Sequence, residues 1–186
     1  MEKIIFLGLV IPIFGFVLYL GATAIMNGFS AKSANKINEN SDNEKIDPPL
    51  ADEESLSYEL EKLNMEKFIF TNGSADHAAN ILTHLGVYDL FGRDKVFDIK
   101  DAGYVPKPEA ETFDSMVKKF GIDPKETIYI EDIAKNLSIG YERGCATVWL
   151  INDEHFGKMD ADKDFISHKI ENLSLFLKEI RLLKSQ

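Results

Sequence analysis

The segment Thr127–Asp132, with the sequence Thr-Ile-Tyr-Ile-Glu-Asp, decides the fold class, because four residues of high strand propensity run directly into two carboxylates. A short run without alternation of polar and apolar residues is typical of a strand that is buried on both faces of a parallel sheet. In such sheets the ligand crevice lies at the carboxyl ends of the strands. Glu131 and Asp132 are therefore the first candidates for a functional site.

The same alternation of buried strand and amphipathic helix continues on both sides of this segment. Further strands are predicted at 67–70 and 146–151, and helices are predicted at 56–63, 78–85, 108–120, 133–143 and 170–183. Pro108 would lie in the first turn of its helix and Gly121 would end it. The pattern predicts an α/β fold with a Rossmann-like parallel sheet covered by helices on both faces.

The composition excludes several classes of function. Asp and Glu number 31 against 21 Lys and Arg, which gives a net charge of -10. This negative field disfavours nucleic-acid binding, so no nucleic-acid partner is expected. Cys145 is the one cysteine, which excludes an internal disulfide framework and a multi-cysteine zinc site.

The uncharged run Ile4–Met26 predicts a membrane anchor within residues 1–27. As a helix it would measure roughly 34 Å, enough to cross a hydrocarbon layer of about 30 Å. The alternative is a secretory signal peptide cleaved after Ala22–Ala24. The apolar run exceeds the usual h-region of about 7–15 residues, and this favours the uncleaved single-pass anchor.

Charges that flank the apolar run indicate its orientation. Lys3 precedes the run, while Lys32 and Lys36 lie between the run and Glu39, the first acidic residue after it. The positive-inside bias therefore places the following domain in the cytoplasm. Residues 28–54 are polar and aperiodic and predict a flexible linker, and residues 55–186 form the folded domain.

Two further segments carry candidate phosphate-binding groups. Thr71, Asn72 and Gly73 follow the strand at 67–70 and precede a helix, where a hydroxyl and backbone amides can hold phosphate oxygens. An equally open alternative is an ordinary turn in which Ser74 caps the helix. Lys107 lies between two prolines, and its simplest interpretation is a solvated helix start.

The adjacent carboxylates Glu131 and Asp132 require a cation or a proton, because two buried negative charges repel one another. Oxygen ligands of this kind suit Mg²⁺, which retains several waters and takes few protein carboxylates. The sequence therefore predicts Mg²⁺ as the cofactor.

Taken in order, the segments Thr71–Ser74, Lys107-Pro108 and Glu131–Ile133, with Asn136 after them, resemble the haloacid dehalogenase-like phosphohydrolases. The fuller segments 71–78 and 131–137 are similar to the pyrimidine 5′-nucleotidase branch of that superfamily. The resemblance covers about 60–183. It implies a Rossmann-like parallel sheet of the haloacid dehalogenase type, incomplete and preceded by one transmembrane helix.

The resemblance also implies roles for individual residues. Thr71, with Asn72 and Gly73 beside it, would bind the transferring phosphoryl group, and Lys107 would neutralise its charge. Asp132 would bind Mg²⁺, while Glu131 and Asn136 match supporting positions of the metal site. These roles agree with phosphoryl-transfer chemistry, which depends on positioning and on cationic stabilisation.

One element of that family pattern is absent from the sequence. The family uses an Asp-x-Asp nucleophile motif after an apolar strand, and no such motif precedes Thr71. Asp160-Ala161-Asp162 has the spacing but does not follow a buried strand, and it is predicted to be a solvated loop. Most of the substrate-selecting cap is missing as well. The nucleophile strand would lie at the middle of the sheet, so two inner strand edges are expected to lack a partner.

Two functions remain open from the sequence. The first is Mg²⁺-dependent hydrolysis of a small phosphorylated metabolite, with a pyrimidine nucleoside monophosphate implied by the resemblance. The alternative is a catalytically inactive, membrane-anchored remnant that binds phosphate or a protein partner. A measurement of turnover distinguishes the enzyme from the inactive remnant. The missing nucleophile motif favours phosphatase-family membership with little or no activity.

Overall fold

The structure is a computed structural model that describes residues 55–151 and 155–184. The predicted anchor and linker lie outside the described residues. Of the helices in the two described ranges, none has the length and apolar character needed to cross a lipid bilayer.

Strands and helices alternate along most of the described chain. In chain order the elements are α1 (Leu56–Lys62), β1 (Ile69–Phe70), α2 (Ala75–His84), α3 (Tyr88–Phe91), β2 (Val96–Phe97), α4 (Ala110–Phe120), β3 (Ile128–Glu131), α5 (Leu137–Glu142), β4 (Ala146–Leu150), β5 (His168–Ile170) and α6 (Leu173–Lys184). Single 3₁₀ turns at Pro124–Glu126 and Ala134–Asn136 lie on either side of β3. The predicted α/β class is confirmed.

Local sequence signals explain where the helices begin and end. The Ser74 hydroxyl accepts a hydrogen bond from the backbone amide of His77 at 3.3 Å, which satisfies a donor that the first turn of α2 leaves open. Gly121 ends α4 with a left-handed φ of 65°, a conformation that glycine adopts without a steric penalty. These caps fix the helices on which the site loops depend.

All strand pairs in the described ranges are parallel. β1 pairs with β2 in one sheet, with Ile69 opposite Val96. β3, β4 and β5 form a second sheet, in which β4 lies in the middle. Because parallel strands point the same way, each sheet gathers its carboxyl ends, and the residues that follow them, at one edge.

Helices cover both faces of the strands, and each face has its own hydrophobic core. One core includes Ile69, Val96, Ile130, Val148, Leu150, Leu173 and Leu177. The other includes Phe70, Phe97, Phe113, Met116, Tyr129, Leu137 and Trp149. Side chains alternate between faces along a strand, so residues from both sheets enter each core. The two sheets therefore form one layer.

β1 and β3 do not pair with each other. β1 bonds only to β2, and β3 bonds only to β4, within the part of the chain that the structure describes. Their side chains still pack together, since the Phe70 and Tyr129 ring centroids are 6.3 Å apart. The break in the hydrogen-bonding ladder lies between the two strands that, by the family resemblance, would flank the nucleophile strand.

The structure corrects several predicted boundaries. Ile170 belongs to β5 and not to the closing helix, which starts after Asn172, where the Asn172 side chain accepts from the Leu175 amide at 3.0 Å. β5 has three residues, too few to show a period. α4 begins at Ala110 and not at Pro108, because Glu109 takes extended backbone angles at the helix boundary.

Candidate functional site

The loop between β1 and α2 presents Thr71 at the carboxyl end of β1. The Thr71 amide donates to the Phe97 carbonyl at 3.0 Å, which ties the residue to the end of β2. Its hydroxyl accepts from the Gly73 amide at 3.0 Å and so closes a tight turn. Ser74 caps α2, as the alternative interpretation of this segment predicts. Capping by Ser74 leaves Thr71 at the strand end, so the two interpretations are compatible.

Lys107 links this loop to the second sheet. Its backbone amide donates to the Asn72 side-chain oxygen at 2.7 Å. Its ammonium donates to the Phe70 carbonyl at 2.8 Å and to a carboxylate oxygen of Glu131. The Lys107 side chain is thus buried between β1 and β3 and is not the solvated helix start that a lone Lys-Pro suggests.

Glu131 is the hub of the buried polar network. The oxygen that accepts from Lys107 also accepts from the Tyr129 hydroxyl and from the Asn136 amide nitrogen, each at 3.2 Å. The second oxygen accepts weakly from the Ile133 amide at 3.4 Å. One oxygen therefore has three side-chain donors, an arrangement that fixes the direction of the carboxylate. Glu131 and Asn136 thus hold each other beside Asp132.

Asp132 is buried next to Glu131. Burial, together with the charge of Glu131, raises the pKa of Asp132 to about 8, although Lys107 acts in the opposite direction. The backbone carbonyl of Asp132 accepts a hydrogen bond from the Trp149 indole at 3.0 Å, which fixes the chain at this point. A buried carboxylate with a raised pKa gains most from a nearby cation.

The donor chemistry at this point fits Mg²⁺. Within residues 55–151 and 155–184, no group of three or more His, Cys, Asp or Glu side chains is placed to hold a metal ion. Mg²⁺ does not need such a group, since it takes one or two carboxylates and completes its shell with water and substrate oxygens. Asp132 has the carboxyl oxygens, the burial and the strand-end position for that role.

The sequence interpretation overlooked Asp98, which organises both loops on the β2 side. One Asp98 oxygen accepts from the Ala75 amide at the start of α2 at 2.9 Å. The other accepts from the amides of Lys100 and Asp101 at 3.0 and 2.9 Å. A signal was present, because Asp98 follows the apolar pair Val96–Phe97 as Thr71 follows β1.

The remaining sequence candidates lie away from this network. Asp160-Ala161-Asp162 lies in the turns between β4 and β5, where Asp162 is exposed, in agreement with a solvated loop. Burial raises the pKa of the Cys145 thiol to about 12, so it is a packing residue and not a nucleophile. One part of the β4–β5 segment does reach the site loop, where Gly157 accepts from the Ala134 amide at 3.0 Å.

A family model described as haloacid dehalogenase-like hydrolase matches residues 18–140. The match begins inside the apolar run that predicts an anchor. None of the curated protein sequences compared with the chain is significantly similar to it.

Solved structures share the fold. A haloacid dehalogenase-like protein of unknown function from Agrobacterium tumefaciens superposes with a TM-score of 0.56 at 18% identity, covering 71% of this chain and 60% of its own. A hydrolase from Deinococcus radiodurans with bound phosphate and sodium gives 0.56 at 18% identity, with 70% and 58% covered. A magnesium-bound hydrolase from Bacillus subtilis gives 0.50 at 19% identity, with 67% and 52% covered. The chain therefore spans less than two thirds of each structure.

Proposed function

The chain belongs to the haloacid dehalogenase-like hydrolase family, and from that membership we propose that its strand-end site binds a phosphomonoester together with Mg²⁺. The observation that carries the proposal is the Lys107 ammonium, held by the Phe70 carbonyl and Glu131 beside Asp132. A fixed cation between two strand ends supplies the positive charge that a phosphate dianion requires.

Each residue of the site has a defined part in this proposal. The Thr71 hydroxyl and the Asn72 amide hydrogen-bond the phosphate oxygens, and the Gly73 amide keeps that hydroxyl in place. Lys107 neutralises part of the phosphate charge, and Glu131 keeps the lysine in place. Asp132 holds Mg²⁺ and Asn136 orients Glu131. When bound, Mg²⁺ neutralises phosphate charge as a Lewis acid.

Hydrolysis requires a nucleophile that these residues do not supply. Glu131 is occupied by its hydrogen bonds, and Asp132 is assigned to the metal. The sequence has no Asp-x-Asp motif before Thr71. We therefore propose phosphate binding with little turnover, lower than that of a family member with the motif by several powers of ten.

The proposed ligand class is a pyrimidine nucleoside monophosphate. The similarity of segments 71–78 and 131–137 to the pyrimidine 5′-nucleotidase branch supports this assignment. We also propose that the domain works at the cytoplasmic face of a membrane, held by Ile4–Met26. The second candidate function, a non-catalytic phosphate-binding or partner-binding domain, is favoured by the missing nucleophile motif.

Calorimetric titration of the full chain, in detergent if it partitions into membranes, tests the proposal. Inorganic phosphate should bind more tightly with Mg²⁺ than without it, and Lys107→Gln should remove most of the affinity. Lys178→Gln, a charge-matched change on α6, is the control and should leave affinity unchanged. Equal phosphate binding by the Lys107→Gln variant would refute the proposed site. A parallel assay with a panel of nucleoside monophosphates measures turnover.

A further inference from the structure

Tyr104 combines exposure with an unfavourable backbone conformation. Its residue surface is 71% exposed. Its φ is 67°, in the left-handed region that residues other than glycine and asparagine rarely occupy. An exposed aromatic ring gains little from packing, and a left-handed φ is costly for a bulky residue. Such strain persists in folded proteins mainly where the surrounding structure imposes it, often at functional positions.

The surroundings of Tyr104 do impose this conformation. Its amide donates to the Ile99 carbonyl at 2.8 Å. The next carbonyl, that of Val105, accepts from the buried Thr112 hydroxyl at 2.8 Å. The loop start is held by Asp98, whose carboxylate accepts from the Ala75 amide at the start of α2 and from the Asp101 amide within the loop. The loop therefore presents the Tyr104 ring from a fixed backbone.

This loop is joined to the proposed phosphate site at both ends. The Ile99 amide donates to the Gly73 carbonyl at 3.0 Å. At the other end, the Lys107 amide donates to Asn72 at 2.7 Å. Tyr104 precedes Lys107 by three residues, so their Cα atoms are at most about 11 Å apart. The ring is therefore attached within a few residues of the group that would bind phosphate.

We propose that Tyr104 is a stacking platform for the aromatic base of a nucleoside monophosphate whose phosphate lies at Thr71 and Lys107. The inference rests on the proposed function and extends it to the other end of the ligand. Stacking on an aromatic face tolerates different bases, since every base has a π-face. Tyr104 would thus select nucleotides over phosphomonoesters that lack an aromatic group.

Calorimetry on the full chain with Mg²⁺ tests this inference with three probes, namely inorganic phosphate, ribose 5-phosphate and uridine 5′-monophosphate. Tyr104→Leu should weaken binding of the nucleotide by about fivefold or more. Tyr104→Phe should bind it within about twofold of the original chain, because the ring is retained. Neither change should alter binding of phosphate or ribose 5-phosphate. Tyr141→Leu, at another exposed tyrosine on α5, is the matched control.

A glycine variant separates ligand binding from a structural role. Tyr104→Gly removes the backbone strain together with the ring, so the midpoint of thermal unfolding should hold or rise while nucleotide affinity falls. If Tyr104 had only a structural role, its replacement would lower both the midpoint of thermal unfolding and the nucleotide affinity. If the Tyr104→Leu variant binds the nucleotide as tightly as the original chain, the inference is overturned, and a role of Tyr104 in contacting a protein would not rescue it. If phosphate and ribose 5-phosphate also fail to bind the original chain, the proposed function fails first and the inference falls with it.

Discussion

Lys107 and Glu131 form a buried ion pair that joins the two sheets across the break between β1 and β3. Their side chains are 3% and 0% exposed. Two charges removed from water are stable only when each is paired and hydrogen-bonded. The pair satisfies this condition, since the lysine also donates to Phe70 and the carboxylate accepts from Tyr129. The lysine that would neutralise phosphate charge in the proposed site therefore also joins the two sheets.

Breaking this pair from one side leaves the other buried group without its partner, so the effects of the two substitutions should not be additive. Lys107→Met or Glu131→Gln alone should each lower the free energy of unfolding by about 3–5 kcal/mol, because a buried group loses its partner. The double variant should lose less than the sum by roughly 0.5–3 kcal/mol. Urea denaturation of all four proteins measures the coupling. Additive losses would show that the two side chains do not interact.

The titration of Asp132 predicts a stability that depends on pH and on Mg²⁺. Its pKa is raised from 3.8 to about 8 in the fold, so the folded state binds a proton that the unfolded state has lost. The stability that this group contributes is therefore fully present below pH 3.8 and is lost as the pH rises towards about 8. Mg²⁺ should reverse part of the loss, because it binds the deprotonated carboxylate.

Thermal unfolding measured from about pH 4 to pH 9, with and without Mg²⁺, checks this prediction against Asp132→Asn. The difference between the two proteins isolates Asp132 from other titrating groups. The asparagine variant should lack both the pH-dependent loss and the Mg²⁺ effect. A Mg²⁺ stabilisation of equal size in both proteins would place the metal elsewhere.

The Lys107 interpretation shows what the sequence can and cannot predict about the site. The spacing of apolar residues placed Thr71 and Asp132 at strand ends, because burial on both faces leaves a local pattern. The same spacing could not predict the contact between Lys107 and Glu131, which lie 24 positions apart, because that contact depends on how the sheets pack. Only the resemblance to a family joined the three segments.

The missed strands have a related physical explanation. β2 has two residues and β5 has three, so neither is long enough to show a period. β5 is also mostly exposed, and its residues are held by pairing with β4. Asp98 was not predicted as a site residue for the same reason, because the strand that precedes it, β2, was not predicted. Elements formed by long-range pairing leave little trace in local sequence.

Gly140 on α5 lies against the Tyr129 ring. Ala normally stabilises a helix relative to Gly by roughly 0.5–1 kcal/mol. Here an added Cβ would collide with Cδ1 of Tyr129. The Tyr129 ring has little freedom to move, because its centroid lies 5.8 Å from that of Phe113 and the Tyr129 hydroxyl donates to Glu131. Gly140→Ala should therefore destabilise the fold by about 1–3 kcal/mol.

Denaturant unfolding and phosphate titration of Gly140→Ala measure both consequences. Affinity for phosphate should fall as well, since a displaced Tyr129 releases Glu131. Ser138→Ala on the same helix is the control and should change stability by less than about 0.5 kcal/mol. A stabilised Gly140→Ala variant would mean that the ring moves aside without loss.

The predicted anchor can be tested by fractionation. The full chain should remain with membranes after a high-salt wash, and the domain should be open to protease from the cytoplasmic side, as Lys32 and Lys36 predict. Deletion of residues 1–27 should release the chain from the membrane. Recovery of the intact protein in the soluble fraction, or cleavage after Ala24, would contradict the anchor.

The break between β1 and β3 predicts that a strand carrying Asp-x-Asp would restore both stability and turnover. Such a strand would pair with the sides of β1 and β3 that no other strand of residues 55–151 and 155–184 occupies, and it would place a carboxylate near Thr71, Lys107 and Asp132. Supplied as a fused segment, it should raise the unfolding midpoint and produce Mg²⁺-dependent hydrolysis of uridine 5′-monophosphate. A strand with Asn-x-Asn should raise the midpoint alone, which separates pairing from chemistry. Turnover by the unsupplemented chain that vanishes in Asp132→Ala would instead reveal a nucleophile elsewhere in this protein.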